Sequence, residues 1–95
     1  MNDVKGTWSD AWLYNWSVPW GDYDLNKYGM EVDIFEHRVV DEDGKDIHLV
    51  VNQNLHWNGY EDKHLCKATQ SDLKDDGFHV YGLKWTPTHF EFFID

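Results

Sequence analysis

The chain has 95 residues, 18 acidic against 8 basic, and a formal net charge of -10. That balance argues against a nucleic-acid partner, which draws on clustered Lys and Arg, whereas here Lys27, Arg38, Lys63, Lys67, Lys74 and Lys84 are scattered. No run of ~18 apolar residues is present to span a membrane as a helix, and the single Cys66 cannot make an internal disulfide.

Segments rich in β-branched and aromatic residues predict strands near 7–14, 30–36, 47–57, 78–85 and 90–94, with no internal repeat, so the expected class is all-β in one domain. In the first, alternation puts Trp12 and Tyr14 on one face. Residues 18–27 follow with Pro19 and Gly21 and predict a loop that carries Trp20; Tyr28 comes just after it.

The second segment, E-V-D-I-F-E at 31–36, sets three carboxylates in a strand. Glu31 and Asp33 share one face, while Met30, Val32 and Ile34 share the other, which suits a core. In a regular pleat Glu36 would join the core face, where an unpaired carboxylate is costly. One residue bulged at Ile34 or Phe35 returns it to the face of the other two, and bulges are frequent beside active sites. Three acids on one face suit glycoside hydrolysis, which needs one carboxylate as nucleophile or base and another holding a proton. Mutual repulsion raises at least one pKa towards neutrality. An acidic edge strand with solvated charges is the plainer reading of the same pattern.

Asp41 to Asp46 hold Asp-Gly at their centre and predict a hairpin connection. On the strand after it, Asn52, Asn54 and His56 fall on one face and form a polar row suited to sugar hydroxyls. The spacing of His48, His56 and His64 matches no standard zinc pattern, so no metal or other cofactor is expected. Residues 71–76 read as a helical turn or an acidic loop, and Phe78 and Trp85 as packing residues. Trp8 and Trp16 have no assigned place.

Four stretches together resemble glycoside hydrolase family 16. The hexapeptide at 31–36 is similar to its active-site signature E-x-D-x-x-E. G-T-W-S-D-A-W-L at 6–13 resembles the strand before it, and N-L-H-W-N-G-Y at 54–60 the strand and turn after it. G-F-H-V-Y-G-L-K-W-T-P at 77–87, with 90–95, resembles a paired-strand motif. The resemblance implies a β-jelly-roll sandwich of the concanavalin A-like kind. A large all-β domain occupies roughly 200 to 250 residues, so the chain is expected to be a central fragment of one catalytic domain, inactive in isolation.

The activity implied is that of an endo-acting retaining β-glycanase, with Glu31 as nucleophile, Glu36 as acid/base and Asp33 between them tuning both. Trp12, Tyr14, Tyr28, Asn52, Asn54 and His56 are the expected substrate contacts. The net acidic charge favours a neutral polysaccharide, a β-1,3- or β-1,3-1,4-glucan, over agar or carrageenan; a lectin-like module that binds glycan without hydrolysis is the alternative. The full-length protein is expected to be a secreted or cell-surface monomer.

Overall fold

A computed structural model describes residues 6–15, 29–75 and 77–95. Tyr28, Trp16 and Trp20 lie outside them. The described residues form six strands, β1 (Trp8–Leu13), β2 (Glu31–Arg38), β3 (Val50–Trp57), β4 (Leu65–Asp72), β5 (Tyr81–Trp85) and β6 (Phe90–Ile94). Strands β1 to β4 make one antiparallel sheet in sequence order, and β5 pairs with β6 in a separate hairpin. No helix among the described residues is long and apolar enough to cross a membrane.

The connection from β2 to β3 is tightened where the Asp-Gly pair predicts. The Asp41 carboxylate accepts from the amides of Asp43 and Lys45, and Gly44 takes the left-handed conformation (φ 80°) that only glycine adopts without strain. Between β5 and β6, Pro87 fixes the turn, and the Thr86 hydroxyl accepts from the amides of Thr88 and His89.

The two faces of the sheet differ in what they bury. Val32 and Val51 point to one face and are 1% and 0% exposed, each contributing about 1.5–3 kcal/mol through burial. The β5–β6 hairpin approaches that face, with Tyr81 stacked on Phe35 at 4.4 Å between ring centroids. Asp33, His37, Gln53 and Asn54 are also buried, and all four lie on β2 and β3. His37, on the core face, satisfies its ring by donating from Nε2 to the His48 carbonyl at 2.7 Å.

Strand β4 was not expected from the sequence. Its two faces read Leu65, Lys67, Thr69, Ser71 and Cys66, Ala68, Gln70, Asp72, so no apolar alternation marks it. It is an edge strand, held by a register that runs without a break from Val50↔Asp72 to Trp57↔Leu65. Residues 71 and 72 therefore belong to a strand, not to a helical turn or loop. Phe78 also departs from expectation. It precedes β5 and is 100% exposed, and Trp85 is 66% exposed, so neither packs in a core here.

Candidate active site

The acid row depends on a bulge in β2. Against β1, Ala11 faces Phe35 and Trp12 faces Asp33, so Ile34 is skipped. Against β3, Asp33 faces Asn54 and Glu36 faces Asn52, so Ile34 and Phe35 together oppose Gln53. One extra residue thus separates Asp33 from Glu36, at the place the parity of the charges requires. Past the bulge Phe35 points to the core face and Glu36 to the face of Glu31 and Asp33.

These three acids line a cleft of 280 Å³ together with Trp8, Asp10 and Trp12. Trp8, Asp10 and Trp12 share a face of β1 by period two. Trp8 and Trp12 are 58% and 45% exposed, flat apolar surfaces open to solvent. The Arg38 guanidinium sits 4.8 Å from the Trp8 ring centroid, a cation–π pair that holds the ring in place. Tyr14 is not in the cleft wall; its ring lies 5.2 Å from Trp12 and 6.2 Å from Tyr60, and the three make an aromatic group beside Glu31.

Strand β3 brings its polar row alongside the acids, with Asn52, Asn54 and His56 opposite Glu36, Asp33 and Glu31. Asn54 donates its amide to Glu36 Oε2, so it holds a carboxylate within the protein. His56 Nε2 lies 3.1 Å from Asp33 Oδ2 and 4.0 Å from Glu31 Oε1, and its Nδ1 is 2.9 Å from His64 Nε2. The two imidazoles stack at 5.1 Å. Asp33 Oδ2 has no aligned hydrogen bond despite the nearby imidazole. Ligand atoms of Glu31, Asp33 and His56 lie within 4.8 Å of one another, so these are the residues that could hold a divalent cation.

Tyr60 supplies a contact the sequence pattern does not reveal. After β3, Asn58 (φ 64°) and Gly59 (φ 72°) are both left-handed, which folds the chain back over the end of β2. The Tyr60 hydroxyl then donates to Glu31 Oε2 at 2.5 Å. Burial, and next this bond to a carboxylate, push the Tyr60 pKa well above its ordinary value, so the phenol stays a donor.

The expected asymmetry among the acids falls on Asp33. It is 3% exposed, and its pKa is raised to about 7, first by burial and then by the charges of Glu31 and Glu36, against a lowering hydrogen bond from Asn54. Asp10 adds a smaller push. Cys66 faces His56 across the β3–β4 pair as a free thiol, and burial followed by the same three acids raises its pKa. The thiol is therefore less reactive than a free cysteine.

A sequence model of the glycosyl hydrolases family 16 matches residues 1–95. The chain belongs to this family. Its all-β antiparallel architecture is that of the family's jelly-roll sandwich. It is also similar to a beta-1,3-glucan-binding protein of Penaeus monodon, with 31% identity over 99 residues. That match covers 96% of this chain and 26% of the relative, so the chain spans about a quarter of the relative's length. No solved structure matches it.

Proposed function

We propose that the domain containing this segment is an endo-acting retaining β-glycanase acting on a β-1,3- or β-1,3-1,4-glucan outside the cell. The observation that carries the reading is the bulge that sets Glu31, Asp33 and Glu36 on one cleft face between two exposed tryptophans and a row of two amides and an imidazole.

Retaining hydrolysis needs a nucleophile on one side of the anomeric carbon and a proton donor beside the leaving oxygen, with carboxyl groups about 5 to 5.5 Å apart. Glu31 attacks to give a covalent glycosyl-enzyme. Its Oε2 is engaged by Tyr60, which leaves Oε1 for the sugar. Glu36, held through Oε2 by Asn54, protonates the departing oxygen and later takes a proton from the incoming water. Asp33 sits between them with a pKa near neutrality, so it carries a proton part of the time and limits the repulsion on its two neighbours. Trp8 and Trp12 present rings to the apolar faces of pyranose units. Support for the glucan substrate comes from the name of the Penaeus monodon relative.

That relative's name also favours a second reading, in which the cleft binds β-1,3-glucan and does not cut it. Reducing-sugar release by the full-length protein from laminarin, lichenan, agarose and carrageenan decides between them, with Glu31→Gln as control. Hydrolysis of a glucan that the control loses supports the enzyme. Tight laminarin binding without release, by a folded protein, replaces it with the binding reading.

A further inference from the structure

Gln53 is a buried amide on the apolar face of β3. Its neighbours on that face are Val51 and Leu55, and it is 5% exposed. An amide placed among apolar groups is unfavourable unless its hydrogen bonds are made, so its presence there calls for a partner. The partner is the bulge. Gln53 is the single β3 residue opposite the two bulged positions, Ile34 and Phe35, and its Nε2 donates to the Ile34 carbonyl at 3.2 Å. A bulge disrupts the ladder and leaves its extra residue unpaired. The side-chain amide gives a backbone carbonyl within the bulge a donor.

The backbone of Gln53 is itself anchored. Its carbonyl accepts from the Thr69 hydroxyl at 3.1 Å, and Thr69 is its register partner on β4. A continuous path therefore runs from the edge strand through Gln53 to the kinked backbone between Asp33 and Glu36. The alternative to the bulge is a regular strand, which would turn Glu36 onto the apolar face.

We propose that Gln53 is a positioning residue for the acid row, with its amide locking the β2 bulge and so holding Glu36 on the cleft face. Its effect on turnover rests on the glycanase reading, while the lock itself is a property of the fold. A leucine at position 53 matches the bulk and removes the donor; a glutamate turns an acceptor towards the Ile34 carbonyl. In either variant the bulge loosens and the proton donor is displaced from the leaving oxygen.

The experiment uses the full-length protein with Gln53→Leu and Gln53→Glu. Amide hydrogen exchange at residues 34–36 should accelerate at least tenfold in both while protection at Val51 is retained. On laminarin, kcat should fall by roughly 100-fold, the scale of a 1 Å misplacement, with KM within about twofold of the parent. The pH profile of kcat/KM should lose its parental shape, which a loss of stability alone does not produce. In the parent protein the Gln53 side-chain amide protons should exchange slowly by NMR, a measurement that does not depend on any variant folding. Fast exchange of those protons, or unaltered exchange at 34–36 in both variants, overturns the proposal. A parent that cuts no glucan while the exchange results hold overturns the glycanase reading and leaves the lock standing.

Discussion

Replacing Asp33 with Asn should stabilise the protein in a pH-dependent way whose size follows from its surroundings. Asp33 is 3% exposed, and its pKa moves from 3.8 to about 7 on folding. The folded state therefore holds the proton more tightly than the unfolded chain. Well below about pH 4 both states are protonated, and the carboxyl is not a burden. As pH rises, Asp33 in the unfolded chain ionises first and the contribution of this group to stability falls by about 1.4 kcal/mol per pH unit, until it ionises in the folded state near pH 7. The accumulated penalty above that pH is on the order of 4 kcal/mol. The amide of the variant is neutral throughout, so it escapes the penalty. It also disturbs local hydrogen bonds by about 1 kcal/mol, an offset that is the same at every pH. Urea unfolding of the full-length protein and Asp33→Asn, at pH values from about 4 to about 8, separates the two contributions. The difference in stability should change by roughly 4 kcal/mol in favour of the variant across that range. A difference flat to within about 1 kcal/mol would refute the argument that desolvation and the flanking acids raise this pKa.

Tyr60→Phe removes the hydroxyl that holds Glu31 Oε2, and turnover of laminarin should fall by roughly tenfold, in line with one charge-assisted hydrogen bond; kcat measured at saturating substrate checks this. Cys66→Ser should leave both activity and unfolding midpoint unchanged, because the thiol's pKa is raised and it is not disulfide-bonded; a loss of activity in the same laminarin assay would show that the thiol takes part.

The bulge was legible in the sequence because the charges require it. Three acids spaced E-x-D-x-x-E cannot share a face of a regular strand, and placing Glu36 in the core is worse than kinking the backbone. The polar row of Asn52, Asn54 and His56 was legible for a similar reason, since period two puts the three on one face. What period two did not convey is where their hydrogen bonds go: Asn54 serves Glu36 and His56 approaches Asp33. Asp10 and Trp8 were within reach of the same rule, because they alternate with Ser9 and Ala11 into the face of Trp12. Tyr60 was not, since its contact with Glu31 is made by two left-handed residues after β3 and has no period. Strand β4 escaped because an exposed edge strand has no apolar face to announce it.

The arrangement of the acids bears on the choice between cutting and binding. Four carboxylates, those of Asp10, Glu31, Asp33 and Glu36, line one cleft, and burial together with the charges of its neighbours raises the pKa of Asp33. A surface whose work ends at holding a neutral glucan is served by exposed rings and amide groups, which bind sugars without like-charge repulsion. Trp8, Trp12 and Asn52 already provide those groups. The acid row, the bulge that aligns it and the Tyr60 and Asn54 bonds that orient two of its members add little to such a grip. They are what a site needs when one carboxylate must attack while its neighbour carries a proton, and on that physical ground the hydrolytic reading is the stronger of the two.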